Sequence, residues 1–137
     1  MAAAVADYRP RPQAILSEGK FRRSNAPLTL ELEPTPDLLA EVAASRRADQ
    51  LMVGFALEPR AELLESARAK LHRKKIDLVV GNPLETMDSE TIEATVLDRS
   101  GGETRTPGLM SKADFAPWLL SIIEARLGEL RQSVKPR

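Results

Sequence analysis

The fold is decided by the stretch LMVGFALEPRAELLESARAKLHRKKIDLVVGN, residues 51–82. Its two ends, LMVGFAL (51–57) and IDLVVGN (76–82), are continuous apolar runs of the length expected for buried strands. The segment between them predicts a helix, because its apolar residues fall on one stripe, with acidic residues early and basic residues late. The stripe consists of Leu63, Leu64, Ala67 and Leu71.

The residues upstream continue the alternation of strand and helix. LTLELE (28–33) alternates apolar and polar residues and predicts a strand with one buried face. PTPDLLAEVAASRR (34–47) predicts a helix with Pro36 in its first turn. The apolar face of this helix comprises Leu38, Leu39, Val42 and Ala43. Such alternation favours a mostly parallel sheet with right-handed crossovers.

The N-terminal segment predicts a further strand. MAAAVA (1–6) has the composition of a short buried strand, which DYRPRP (7–12) ends because proline cannot continue a central strand. Residues 9–27 then form a long irregular stretch that carries the basic cluster KFRR, Lys20 to Arg23. A loop of this length in a compact domain is usually functional or mobile.

The C-terminal third differs from the middle. TIEATVLDRSGGETRTPGLM (91–110) predicts two strands around the turn RSGG. SKADFAPWLLSIIEARLGELR (111–131) predicts a closing helix that begins with a Ser111–Asp114 capping box and carries Pro117 in its first turns. We therefore expect one α/β domain over residues 1–137, with a C-terminal β-hairpin, a closing helix and a frayed tail at 132–137.

Composition excludes several classes of function. Lys and Arg number 20 and Asp and Glu number 20, so no bulk charge attracts nucleic acid. The chain has no cysteine and its only histidine is His72, which cannot build a zinc site or a Ser-His-Asp relay alone. No apolar run approaches the ~20 residues of a membrane span, and no signal peptide is visible. We expect no membrane association and a cytoplasmic location.

Candidate binding residues follow from the predicted sheet, since ligands of a doubly wound sheet lie beyond the carboxyl ends of its strands. Asp7, Phe55 and Asn82 come at or near such ends, and the loop from Glu33 to Pro36 points to the same edge. Asp7 could hold a ribose hydroxyl or a metal ion. The alternative is an Asx-turn that caps the strand end.

Basic residues suggest a phosphate ligand. Lys20, Arg22 and Arg23 could close over phosphates, or they could form a solvated charge cluster. Lys70 and Lys74 share one helix face, where an anion between them would relieve their repulsion. The alternative is an ordinary helix C-terminus, where lysines are favourable anyway.

Five segments, in this order, resemble the C-terminal half of phosphopantothenoylcysteine synthetase. They are AAAVADYRP, GKFRR, LTLELEPTPDLLAEV, MVGFALE and ARAKLHRKKIDLVVGN. The resemblance implies a three-layer α/β/α Rossmann-like domain whose N-terminal half is absent from this sequence. It also implies either a homo-oligomer or a partner that supplies the missing N-terminal half.

The resemblance also implies the roles of individual residues. Lys20, the first basic residue of the KFRR motif, is implied as the catalytic residue and as a nucleotide contact. The other implied nucleotide contacts are Ala2, Ala3, Asp7, Glu33, Pro34, Thr35, Pro36, Phe55, Lys70 and Lys74. Asp7 is also the candidate for metal binding. These side chains are expected to meet around a single polyphosphate along one rim of the sheet.

The activity implied is a ligation that uses CTP, or ATP in some members, together with Mg²⁺. The substrates would be 4'-phosphopantothenate and cysteine, joined through an acyl-nucleotide intermediate in coenzyme A biosynthesis. FMN would belong only to a fused or partner decarboxylase. Two other interpretations stay open: a non-catalytic nucleotide-binding or assembly module derived from this family, and an unrelated Rossmann-like regulator.

Overall fold

The computed structural model describes residues 5–12, 25, 27 and 29–134. The chain forms two compact units, Met1–Leu38 and Leu39–Arg137. Each unit is described by itself below.

The first unit contains a two-stranded antiparallel ribbon. Strand β1 (Tyr8–Pro10) pairs with β2 (Leu32–Pro34), so that Tyr8 lies opposite Pro34 and Pro10 opposite Leu32. An ion pair of 2.8 Å joins Arg9 to Glu33 across the two strands.

This ribbon corrects two predictions. DYRPRP was predicted to interrupt strand structure, but Tyr8–Pro10 within it forms β1, with Pro10 as the last residue of a short ladder that tolerates proline. The strand predicted at 28–33 is Leu32–Pro34 and pairs outside the main sheet. Its alternation does not mark a buried face, since Leu30 and Leu32 are both about half exposed. Most of MAAAVA and of the stretch 9–27 lies outside the described residues.

The second unit is built on a four-stranded sheet in the order β3-β4-β6-β7. Strands β3 (Val53–Glu58) and β4 (Leu78–Pro83) are parallel, as predicted from residues 51–82. Strands β6 (Thr95–Asp98) and β7 (Glu103–Arg105) form the predicted hairpin around RSGG.

The α/β class is thereby confirmed, and the described sheet is mixed. β6 runs antiparallel to β4. The cause is the connection between these strands, which contains a 3₁₀ turn (Leu84–Thr86) and the short strand β5 (Thr91–Ile92) where a crossover helix would be needed for parallel pairing. β5 pairs with β8 (Met110–Ser111) in a separate two-stranded ladder.

Helices cover both faces of this sheet. Helices α1 (Leu38–Ser45) and α2 (Leu63–Lys74) are followed by α3 (Lys112–Val134). One buried cluster joins the stripe of α2 and Ala43 of α1 to one face of the strands. The cluster consists of Ala43, Ala56, Ala67, Leu71, Ile76, Val79 and Leu97. A second cluster joins Phe115 and Leu119 of α3 to Leu78 and Val80 on the opposite face. The three-layer arrangement is confirmed within this unit.

The ends of α1 and α3 differ in detail from their predictions. Pro36 precedes α1, and of the predicted apolar face Leu38 and Val42 are exposed while Ala43 is buried. The capping box at the start of α3 is confirmed, because the Asp114 N–H donates to the Ser111 hydroxyl oxygen over 3.0 Å. Pro117 lies inside α3, and the helix continues to Val134, past the predicted start of the tail.

Candidate functional site

Lys70 and Phe55 are brought together by the packing of α2 on β3. The apolar stripe of α2 faces the sheet, and Lys70 lies beside that stripe, between buried Ala67 and Leu71. Its ammonium group donates a hydrogen bond of 2.6 Å to the backbone carbonyl of Phe55. Two residues that the resemblance assigns to one ligand, 15 positions apart in the sequence, are therefore in direct contact.

Lys74 is the last residue of α2 and lies one turn beyond Lys70, on the same side of the helix. Lys75 follows in the left-handed conformation, with φ of 54°. This conformation closes the helix, so both lysines are held on its last two turns. That both of them bind a phosphate stays a prediction.

Phe55 is 58% exposed, although the residues on either side of it in β3 are buried. The prediction that LMVGFAL is buried on both faces was therefore wrong for alternate residues. Gly54 and Ala56 face the buried cluster between α2 and the sheet, whereas Phe55 and Leu57 are exposed. β3 is an edge strand of the described sheet, and its second face is only partly covered. An exposed aromatic ring on a rigid strand can stack on a planar ligand.

In the first unit, the structure joins Asp7 to the loop after β2. The Thr35 N–H donates to the Asp7 carbonyl over 2.9 Å, and the Thr35 hydroxyl donates to the Ala6 carbonyl over 2.5 Å. Glu33 accepts from Arg9, and Pro34 is the last residue of β2. The backbone from Glu33 to Pro36 is thus held beside Asp7, and Asp7 itself is exposed.

The remaining predicted residues lie outside the described residues. These are Ala2, Ala3 and Lys20, together with Arg22 and Arg23 of the basic cluster. In the described part of the chain, no group of three or more His, Cys, Asp or Glu side chains is placed to hold a metal ion. That Asp7 binds a metal ion stays a prediction.

Asp98 is a buried acidic residue that the sequence patterns did not single out. Its Oδ1 accepts from the Ser100 N–H (2.9 Å), the Ser100 hydroxyl (2.6 Å) and the Gly102 N–H (2.8 Å), and its Oδ2 accepts from Arg126. Burial raises the pKa of the Asp98 carboxyl, but the hydrogen bonds from Ser100 and Gly102 and the charge of Arg126 bring it below its usual value. An aspartate two residues before a Ser-Gly-Gly turn was the available signal.

Comparison with known proteins defines the class. The family model described as the DNA/pantothenate metabolism flavoprotein C-terminal domain matches residues 1–127. The chain belongs to this family. The sequence resemblance to the C-terminal half of phosphopantothenoylcysteine synthetase is thereby confirmed.

Particular relatives agree with this class. The coenzyme A biosynthesis bifunctional protein CoaBC of Bacillus subtilis is 32% identical over 127 residues, 90% of this chain and 30% of the relative. A cysteine/cysteine sulfinic acid decarboxylase from an unknown prokaryotic organism is 34% identical over 131 residues, 90% of this chain and 35% of the relative. The chain spans about a third of the length of these curated relatives.

Solved structures share the fold. The C-terminal domain of CoaBC superposes with a TM-score of 0.65 at 28% identity, covering 93% of this chain and 53% of the other. A mutant Cab2 in complex with phosphopantothenate-cysteine superposes with a TM-score of 0.75 at 22% identity, covering 98% of this chain and 45% of the other.

Among the described residues, no helix has the length and apolar character needed to cross a bilayer.

Proposed function

We propose that this chain binds a nucleoside triphosphate, CTP or ATP, as part of a ligase that joins 4'-phosphopantothenate to cysteine. The observation that carries the proposal is the hydrogen bond between Lys70 and the Phe55 carbonyl. It fixes an ammonium group at the backbone of Phe55, whose own ring is exposed, and a triphosphate nucleotide offers both a polyanion and a planar base. Membership of the flavoprotein C-terminal domain family supports the same ligand class.

The binding energy would come from two kinds of contact. Lysine binds phosphate as a point charge, and Lys70 with Lys74 would place two such charges on consecutive turns of α2. A base stacked on Phe55 would contribute about 1–3 kcal/mol. The backbone at Thr35 and the Lys20 side chain are the further contacts that the family resemblance assigns.

We expect Mg²⁺ to bind together with the phosphate groups of the nucleotide. Mg²⁺ usually keeps several waters and takes one or two carboxylates together with substrate phosphates, and an exposed Asp7 suits the carboxylate role. When bound, the ion would neutralise charge on the phosphate oxygens. Asp7 would contribute a carboxylate oxygen to the ion.

The proposed reaction has two steps. A carboxylate oxygen of phosphopantothenate attacks the α-phosphorus of the nucleotide, and pyrophosphate leaves. The amine of cysteine then attacks the acyl carbon and loses a proton to solvent as the amide forms, and the nucleoside monophosphate leaves with the electron pair of the broken C–O bond. Lys20 is the proposed catalytic residue, since a cation near the α-phosphate would stabilise the charge that develops there.

Nucleotide binding is expected to raise the melting temperature. At a ligand concentration 100-fold above Kd, CTP with Mg²⁺ would stabilise the fold by about 2.7 kcal/mol, which raises Tm by roughly 5–10 °C. Lys70→Ala should remove most of this shift, because it deletes the ammonium group that is fixed at Phe55. Differential scanning fluorimetry with CTP and with ATP measures both effects.

The matched control is Lys112→Ala, which removes an exposed lysine at the start of α3 and should keep the full shift. If neither nucleotide moves the Tm of the unmodified chain, the proposal is wrong. A shift without pyrophosphate release in the presence of phosphopantothenate would favour the non-catalytic nucleotide-binding module.

A further inference from the structure

A second cluster of cations lies on the other side of α2 from Lys70. It surrounds a surface cavity of about 280 Å³ between the second half of α2 and the turn that joins β6 to β7. The buried side chains Leu71 and Leu97 line the cavity. Arg68, His72 and Arg99 supply its cationic and N–H-bearing groups.

The positive charge at this cavity exceeds the negative charge beside it. Glu103 accepts from Arg68 over 3.2 Å and from Arg105 over 2.6 Å, so one carboxylate serves two guanidinium groups. Arg99 donates to the backbone carbonyl of Lys75, and a carbonyl carries no formal charge. An anion placed here would therefore meet a surplus of cations.

The acidic residue in the cavity wall does not cancel this surplus. Asp98 lines the cavity, but its two oxygens already accept hydrogen bonds from Ser100, Gly102 and Arg126. Arg126 belongs to α3, and its charge neutralises this carboxylate. The carboxylate is thus committed to internal partners, while the guanidinium groups of Arg68 and Arg99 are on exposed residues.

We propose that this cavity binds a small phosphate monoester, held by Arg68, His72 and Arg99. Guanidinium groups match the geometry of phosphate oxygens with paired N–H donors, and an imidazole adds another N–H donor. The volume lies just below the roughly 300–1,000 Å³ of pockets that hold drug-sized ligands, which suits a small anion better than a whole nucleotide. The cavity is separate from Lys70 and Phe55, so this site does not depend on the proposed nucleotide function.

Backbone amide NMR can test the proposal on the full chain. Inorganic phosphate and methyl phosphate are titrated at constant ionic strength, and the amides of His72 and of residues 99–102 are followed. Saturable shifts of these amides are expected with both probes, and Arg68→Gln and Arg99→Gln should each weaken binding about tenfold, the loss of one charge-assisted hydrogen bond. Shifts near Phe55 and Lys70 report the other site and are judged separately.

The control is Arg73→Gln, which removes an exposed cation from the same helix at a position outside the cavity lining. It should leave the phosphate affinity unchanged. Shifts that grow linearly without saturation, an equal loss of affinity in Arg73→Gln, or an equal response to sodium acetate would each overturn the proposal. Because Arg68 is exposed, Arg68→Gln keeps the test valid if Arg99→Gln disturbs the end of α2.

Discussion

Replacement of Asp98 by alanine is expected to lower the free energy of unfolding by about 3 kcal/mol. The carboxylate is buried and holds both the Ser100–Gly102 turn and Arg126 of α3. Alanine would remove the acceptor that orders this turn and ties it to α3. Urea unfolding measures the loss directly, and the melting temperature should fall by roughly 10 °C.

The same residue gives the stability a defined dependence on acid. The pKa of Asp98 in the folded chain lies below its usual value of 3.8, so the ionised carboxylate stabilises the fold at neutral pH. This contribution is complete above about pH 4 and is lost as the pH falls through the folded-state pKa. The difference in unfolding free energy between the unmodified chain and Asp98→Asn should therefore shrink below about pH 4.

Asp49→Ala is the matched control for the alanine experiment, and Asp49→Asn is the matched control for the pH experiment. Asp49 is exposed and pairs with Arg47, two residues away, over 3.0 Å. A hydrogen bond from Arg47 lowers the pKa of Asp49, but exposed pairs of this kind contribute little to stability. Equal losses in Asp98→Ala and Asp49→Ala would show that Asp98 is not the centre of this turn.

The elements that sequence alone predicted well are those fixed by local chemistry. Helix α2 follows from the 3.6-residue spacing of Leu63, Ala67 and Leu71, and all three are buried in the structure. The capping box at Ser111 and the RSGG turn depend on neighbours within four residues. Such features need no knowledge of the rest of the chain.

Strand partners and exposure could not be predicted in the same way. Nothing in LTLELE specifies that its last residues pair with Tyr8–Pro10, about 24 positions earlier. Likewise, the composition of LMVGFAL predicts a strand that is buried on both faces. The placement of the helices decides how much of each face is covered, and Phe55 stays exposed. Both outcomes are set by tertiary contacts that override local preference.

The candidate site likewise combines features that local sequence predicts with features that depend on tertiary contacts. Spacing alone placed Lys70 and Lys74 on one helix face, but it left a phosphate site and an ordinary helix end as alternatives. The contact of Lys70 with the Phe55 carbonyl depends on how α2 crosses β3. Sequence spacing does not link these two residues, whereas the family resemblance assigns both to one ligand.

Ile76→Ala is expected to have an effect of similar size on stability, about 3 kcal/mol. Ile76 is completely buried, two residues before β4, in the cluster between α2 and the sheet. The substitution removes three carbon atoms and leaves a cavity between elements that cannot close over it. Urea unfolding should show the loss, whereas Leu120→Ala, at a half-exposed position of α3, should cost far less.

A double-mutant cycle of Gly54 with Ile76 tests whether the Ile76 side chain is what requires glycine at position 54. A Cβ atom added at Gly54 would lie 2.6 Å from the Cδ1 atom of Ile76 and 3.1 Å from the Cδ2 atom of Leu39. Gly54→Ala alone should therefore cost about 1–3 kcal/mol through overpacking. Ile76→Val removes the Cδ1 atom, so Gly54→Ala should cost at least about 1 kcal/mol less in that background. Additive losses would mean that Ile76 is not what requires glycine at this point of β3, beside Phe55.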